Sequence, residues 1–124
     1  MTPTTFSRRL FTIAGIYGLL VLLPYYFLEQ RIGLDFPPPI THPEFFYGFV
    51  GVALAWQVAF LLIAQDPVRY RLIIIPGILE KLGFGIAVLV LLAQGRVPML
   101  LSLAAAIDLT FATLFAWAFV RLRV

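Results

Sequence analysis

The sequence predicts an all-α integral membrane protein, a single domain in which four membrane-spanning helices form an antiparallel bundle. Hydrophobic residues make up 62% of the 124 residues and charged residues only 12%, and the mean hydropathy is +1.01. A soluble domain carries about 25% charged residues, so this composition is typical of a chain embedded in a bilayer. Four apolar runs of about 20 residues, the length that crosses a bilayer, account for most of the chain.

The predicted spans are apolar runs bounded by charged or turn-forming residues. They cover about residues 10–28, 45–64, 72–93 and 98–120. Only the short segment "QDPVRYR" joins the second span to the third; Asp66 can cap the following helix there, and Pro67 suits its first turn. A connection this short predicts antiparallel neighbours. The four spans then run up-down-up-down, with both termini on the same side.

Prolines shape two parts of this arrangement. The loop of residues 29–44 contains Pro37, Pro38 and Pro39, so we expect it to be extended like polyproline II rather than folded. Within the third span, Pro76 is followed by Gly77. Because proline removes a backbone hydrogen bond, this pair predicts a kink in the helix.

Arginine residues are distributed unevenly between the two sides of the predicted bundle. Six lie on the side of the termini and two on the other: Arg8, Arg9, Arg69, Arg71, Arg121 and Arg123, against Arg31 and Arg96. The two are accompanied by Glu29, Asp35 and Glu44. Short loops rich in arginine stay in the cytoplasm, so both termini are predicted to be cytoplasmic and the loop of residues 29–44 external.

A small group of polar side chains lies inside the predicted spans. At about 1.5 Å per helical residue, Gln57 on the second span, Glu80 and Lys81 on the third, and Asp108 on the fourth lie at neighbouring depths near the middle of the bilayer. Trp56 lies at the depth of Gln57, and its ring can face a cation. Ionisable residues at this depth are costly and usually face other protein groups. We therefore predict a common ligand or proton site.

Small residues indicate which sides of the helices face inward. Ala104, Ala105 and Ala112 share a face with Asp108, whereas Gly77, Gly83 and Ala87 lie on the side of Glu80. Small residues let membrane helices approach closely. This spacing predicts that Glu80 and Asp108 both lie on interior faces.

The charges of this group do not balance. Lys81 can pair with Asp108 or Glu80, and Gln57 can complete the hydrogen bonding, but two carboxyls and one ammonium leave one negative charge unmatched. One carboxyl is then protonated, or it pairs with a cation from a ligand or a partner. The structural alternative is that these residues only fix the register of the helices.

Other classes of site lack the residues they need. The chain has no cysteine, which excludes thiolate catalysis, disulfides and iron–sulfur clusters. Hydroxyls within the spans have no histidine partner for a serine-type triad, and there is no phosphate-binding glycine loop or metal-ligand spacing. No cofactor, metal ion or nucleic-acid partner is predicted, and a catalytic function is disfavoured.

The turn "DPVRYR", the charged helix containing "EKLGFG" and the late segment "IDLTFATLF" occur in an order that resembles small bacterial DoxX-like membrane proteins. The resemblance covers the chain from about residue 45 onward. It implies a four-helix fold and an accessory role in redox or envelope processes, and it transfers no catalytic residues.

These features predict a small non-enzymatic protein of the bacterial inner membrane. It binds a lipid-like or quinone-like molecule, or it is a subunit of a membrane complex, and its small size favours a homo-oligomer or a larger assembly in the lipid bilayer. One alternative is a proton-coupled carrier of small molecules that works as an oligomer. Another is a membrane enzyme that acts on lipids.

Overall fold

The computed structural model describes residues 1–122, and α-helices account for most of them. The helices are α1 (Pro3–Leu22), α2 (Glu29–Asp35), α3 (Pro43–Gln65), α4 (Ile74–Ala93) and α5 (Leu101–Arg121). A 3-10 segment, Leu23–Phe27, follows α1, and another, Arg71–Ile73, precedes α4. The described residues include no strand, so the all-α prediction is confirmed. Arg123, one of the predicted topology signals, lies outside the described residues.

Four helical segments are long and apolar enough to cross a membrane: Pro3–Phe27, Pro43–Gln65, Arg71–Ala93 and Leu101–Arg121. The first begins well before residue 10 because Thr2 caps it. The hydroxyl of Thr2 accepts a hydrogen bond from the backbone N–H of Thr5 at 3.1 Å, and Pro3 occupies the first turn. Large apolar side chains such as Leu20 and Leu79 are exposed on the outer surface, as expected for helices in contact with lipid.

The long helices pack in two close pairs, α1 with α3 and α4 with α5. Glycines make the close approach possible: Leu61 of α3 lies against Gly15 of α1, and Leu109 of α5 lies against Gly85 of α4. Helix α1 also contacts α5, whereas α3 and α4 share few contacts. The interface between α3 and α4 is therefore the loosest one between sequential long helices.

Three phenylalanine rings form the centre of the apolar interior. Phe11 of α1 stacks on Phe115 of α5 at 4.4 Å between ring centroids, and Phe60 of α3 meets Phe115 edge-on at 5.0 Å. All three are fully buried. Ile74 and Leu122 belong to the same cluster. This aromatic core, defined by the three rings, lies in the half of the molecule that contains the described chain ends.

The loop between the first two spans differs from the prediction. Residues Glu29–Asp35 form the helix α2 instead of an extended segment, and only the part around the three prolines is non-helical. Arg31 pairs with Asp35 one turn later at 3.0 Å, which supports a short helix. The Tyr47 hydroxyl also donates to Glu29 Oε1 at 2.9 Å, so α2 is attached to the start of α3.

Pro76 and Gly77, the pair predicted to kink the third span, lie at the start of α4, which begins at Ile74. Pro76 thus lies in the first turn, where its missing N–H removes no helical hydrogen bond. At the other end of α4, Gly95 adopts a left-handed conformation with φ +69°. The N–H of Arg96 donates to Leu91 O and that of Gly95 to Leu92 O, a Schellman motif that ends the helix.

Candidate functional site

Lys81 lies on the buried face of α4. The members of this face repeat every three or four residues: Ile74, Gly77, Lys81, Gly85 and Val88. Lys81 is only 3% exposed, whereas Glu80, about 100° around the helix, is half-buried at the edge of this face. Gly83 and Ala87 are exposed, so the predicted interior face of Glu80 is wrong for those two. On α5, Ala105 and Ala112 are buried, as their spacing from Asp108 predicts.

Lys81 lies between two carboxylates and two aromatic rings. Its Nζ is 3.8 Å from Glu80 Oε2 and 3.7 Å from Asp108 Oδ1. It also lies 5.3 Å from the ring centroids of both Phe60 and Phe111. These carboxylate distances are within ion-pair range but longer than a hydrogen bond. The ammonium is therefore held by charge and by the rings, with its hydrogen-bonding capacity towards the carboxylates unused.

Gln57 is buried, with 1% of its surface exposed, and only half of its amide is paired. Its Nε2 donates to Ala53 O at 2.8 Å, and its Oε1 has no hydrogen-bond partner among the described residues. Because a backbone carbonyl only accepts, the atom facing Ala53 must be the nitrogen, which leaves the oxygen free. The expectation that Gln57 completes the hydrogen bonding of Lys81 or a carboxylate is wrong.

The position of Gln57 depends on Gly18 of α1. The amide of Gln57 occupies the space in which a Cβ atom at residue 18 would lie, and its Cγ is 2.7 Å from that position. Gly18 therefore allows a polar side chain, and not a neighbouring backbone, to lie close to α1. Sequence reasoning missed it, since a glycine in an apolar helix does not indicate which side chain of another helix will lie against it.

The polar residues line one cavity of about 110 Å³, the central cavity. All four long helices contribute to it. Its lining comprises Tyr17, Gly18, Val21, Leu22, Tyr25, Phe49, Ala53, Gln57, Glu80, Lys81, Phe84, Ala104 and Asp108. The structure thus brings together four of the five predicted site residues. Tyr17 and Tyr25 were missed, because a tyrosine near the end of a span is usually explained as an interface anchor.

Trp56, the fifth predicted residue, lies elsewhere. It lines an open groove of about 950 Å³ between α3 and α4, together with Phe45, Gly48, Val52, Leu79 and Gly83. Trp56 and Gln57 are neighbours in sequence but point about 100° apart on a helix. This lateral groove exists because α3 and α4 pack loosely.

The central cavity and the lateral groove share four lining residues. Phe49, Ala53, Glu80 and Phe84 line both. The rings of Phe49 and Phe84 stack with centroids 6.3 Å apart, and Glu80 Oε2 is buried without a hydrogen-bond partner among the described residues. A polar interior site therefore adjoins an apolar groove that faces the surroundings of the helices.

The aromatic core borders the central cavity beside Lys81. The ring of Phe60, part of the aromatic core, lies beside Lys81 Nζ, and the stacked rings of Phe11 and Phe115 fill the space beyond it. No residue of α1 before Tyr17 lines the cavity.

A comparison of the chain with protein-family models, curated proteins and solved structures found no match. The chemistry of the site must be judged from its own groups. It combines an ammonium with unused donors, two carboxylates, a free amide oxygen and several aromatic rings, next to an apolar groove. Such a set can hold a small polar group whose attached chain stays in an apolar environment.

Proposed function

We propose that this membrane protein binds a lipid-like molecule, with the polar head in the central cavity and the apolar chain in the lateral groove. The observation that carries the proposal is the position of Glu80. Its carboxylate lines both spaces, and its buried Oε2 has no hydrogen-bond partner among the described residues. A buried acceptor without a partner is costly, and a bound head group would satisfy it.

The sizes of the two spaces agree with this division. The central cavity of about 110 Å³ is below the range of about 300–1,000 Å³ for small-molecule sites, so it suits a small head only. The lateral groove of about 950 Å³ is at the upper end of the range of about 300–1,000 Å³ for small-molecule sites. Its length along α3 and α4 suits an extended hydrocarbon chain.

Native mass spectrometry of the protein extracted with its own lipids tests this function. Gly83→Trp places a large side chain in the lateral groove, at a position where an added Cβ meets nothing within 4 Å. We expect a bound mass on the wild-type protein and its loss in Gly83→Trp, with thermal stability unchanged. Leu103→Trp, on an exposed position of α5, is the matched control and should keep the bound mass. Equal binding by both variants would contradict the proposal.

We infer that the four spans form an antiparallel bundle with both termini in the cytoplasm, in a bacterial inner membrane. Contacts along α1 and α3 support the antiparallel arrangement: Gly15 lies against Leu61, and Gly18 lies against Gln57. The excess of arginine near the described termini and the α3–α4 turn supports the orientation. The lateral groove then opens to the bilayer, from which a lipid-like molecule can enter.

The resemblance to DoxX-like proteins implies that this binding serves an accessory role in redox or envelope processes. The chain is then a binding component of a larger assembly or a homo-oligomer. The small size of the bundle supports this idea, since four helices enclose only a small interior. Native mass spectrometry of the same sample reports the subunit number together with the bound mass.

A proton-coupled carrier is the second candidate, and the shared lysine favours it. Glu80 and Asp108 lie at nearly equal distances from Lys81 Nζ. Protonation of either carboxylate therefore leaves the ammonium to neutralise the other one. The aromatic core would have to open to complete a path. Proteoliposomes with Glu80→Gln or Asp108→Asn should then lose substrate flux while remaining folded. If the variants lose stability and the wild type shows no flux, these residues have a structural role only.

A further inference from the structure

We infer that the head group bound in the central cavity is a primary ammonium, so that the ligand is a long-chain amine. This inference rests on the proposed function and adds the chemical class of the ligand. Three independent features carry it: the kind of atom left without a partner, the balance of charge, and the shape of the combined site.

The buried atoms without a partner are both acceptors. Gln57 Oε1 and Glu80 Oε2 have no hydrogen-bond donor among the described residues, and the amide of Gln57 is fixed by its bond to Ala53 O. Lys81 Nζ lies 3.8 Å from Glu80 Oε2, too far for a hydrogen bond. The partner that these two oxygens lack is therefore a donor. A primary ammonium offers three N–H groups, whereas a quaternary ammonium offers none.

The charges of the cavity also favour a cation. Lys81 is the only basic side chain in its lining, and Glu80 and Asp108 both line it. Two carboxylates and one ammonium leave a net negative charge in a low-dielectric interior, where uncompensated charge is unfavourable. One added positive charge makes the site neutral. The rings of Tyr17, Tyr25, Phe49 and Phe84 also line the cavity, and aromatic faces attract ammonium groups.

The lateral groove distinguishes an amine with an apolar chain from an inorganic cation. A hydrated ion gains nothing from the apolar surface of Val52, Leu79 and Phe84 in the groove. A hydrocarbon chain attached to the ammonium loses its contact with water or lipid there and packs against these side chains. Because Phe49 and Glu80 line both spaces, an ammonium that binds beside Glu80 can carry a chain that lies in the groove.

Four probes with the same twelve-carbon chain test the head group: dodecylamine, dodecanol, dodecyltrimethylammonium and dodecanoate. Each is titrated at neutral pH into the whole protein in a non-ionic detergent, and binding is followed by native mass spectrometry. We expect dodecylamine to bind at least about tenfold more tightly than dodecanol, the ratio that one additional charged hydrogen bond supplies. Dodecyltrimethylammonium should bind more weakly than dodecylamine, and dodecanoate should not saturate the site.

Variants connect this preference to the cavity. Glu80→Gln and Gln57→Leu each remove one acceptor and should each reduce the preference for dodecylamine over dodecanol. Asp35→Asn, which removes a carboxylate from the exposed helix α2, is the matched control and should keep it. Because a variant in the interior can unfold, each is first compared with the wild type in a thermal melt. Gln57→Leu changes no charge and keeps the test valid if Glu80→Gln does not fold.

The outcomes separate this inference from the function on which it rests. If dodecanol or dodecanoate binds as tightly as dodecylamine, and Gly83→Trp abolishes that binding, the protein binds lipid-like molecules but the amine assignment is wrong. If the amine preference is unchanged in both interior variants, the cation binds outside the cavity and the inference fails. If none of the four probes saturates a site sensitive to Gly83→Trp, the proposed function fails as well.

Discussion

Lys81 supplies the positive charge of the interior site, because its ammonium lies within 4 Å of carboxylate oxygens from two helices. Replacing it with methionine leaves Glu80 and Asp108 without a counter-charge. We expect Lys81→Met to lower the free energy of unfolding by about 3–5 kcal/mol, the typical cost of removing one partner of a buried ion pair. Reversible unfolding in mixed micelles, followed by circular dichroism, measures the change.

Two further variants control this measurement. Arg96→Met removes a charge in the exposed turn after α4 and should change stability by less than about 0.5 kcal/mol. The triple variant Lys81→Met with Glu80→Gln and Asp108→Asn has no charge left in the cavity and should recover most of the loss. If Lys81→Met is as stable as the wild type, the ammonium is not needed to hold the two carboxylates.

Gly18 is the residue on which the position of Gln57 depends, because the amide of Gln57 fills the place of its missing side chain. We expect Gly18→Ala to destabilise the protein by about 1–3 kcal/mol, the usual cost of overpacking a filled interior. The same unfolding measurement applies. Gly48→Ala in α3 is the matched control: an added Cβ there meets nothing within 4 Å, so the substitution should be neutral or slightly stabilising.

A double-mutant cycle shows whether Gln57 causes the effect. In a Gln57→Ala background, the space at residue 18 is free, and Gly18→Ala should cost less than in the wild type. If the losses of unfolding free energy are additive, the alanine methyl group clashes with atoms other than the Gln57 amide.

Helix α4 shows that the sequence predicts the depth of a polar residue better than the side of the helix that faces the interior. Glycines and alanines occur on two sides of this helix, and the sequence does not say which side another helix will cover. Gly77 and Gly85 turn out to be buried beside Lys81, whereas Gly83 is exposed in the lateral groove. The depth of the polar residues follows from the rise per residue, but the facing of a helix depends on its neighbours.

The same pair of faces gives a test of how α4 packs on α5. A Cβ atom at Gly85 would lie 2.8 Å from Leu109 Cγ, so Gly85→Val should force the two helices apart and cost about 1–3 kcal/mol. Gly83→Val, half a turn away on the same helix, places its side chain in open space and should be nearly neutral. The two variants are compared by thermal melting in detergent. Equal melting temperatures would show that α4 does not rest on α5 through Gly85.

At the scale of the whole molecule, the four apolar helices could be predicted because their length and composition are imposed by the membrane. The meeting of Gln57, Glu80, Lys81 and Asp108 could be predicted as well, since polar groups in lipid gather at shared depths. The helix α2, the lateral groove and the location of Trp56 could not. The groove and the location of Trp56 depend on how closely α3 and α4 approach each other, which is decided by packing over many residues at once. Helix α2 depends on the pair of Arg31 with Asp35 and on the contact of Glu29 with Tyr47.

The orientation proposed from the arginines can be tested with single cysteines, because the natural sequence has none. Thr41→Cys lies in the loop after α2, and Val68→Cys lies in the turn between α3 and α4; both positions are exposed. With both termini in the cytoplasm, a membrane-impermeant maleimide should label Thr41→Cys in intact cells. Val68→Cys should react only after the membrane is permeabilised.

The wild-type chain, which should not react at all, is the control for background labelling. Labelling of Val68→Cys but not of Thr41→Cys in intact cells would reverse the orientation, and labelling of both would indicate two populations inserted in opposite directions. The lateral groove would still face lipid in either case, because its opening between α3 and α4 lies along the helix axes. Reversal would therefore leave the binding of the proposed ligand from the bilayer unchanged. It would change the side of the membrane from which a partner reaches the loop containing α2.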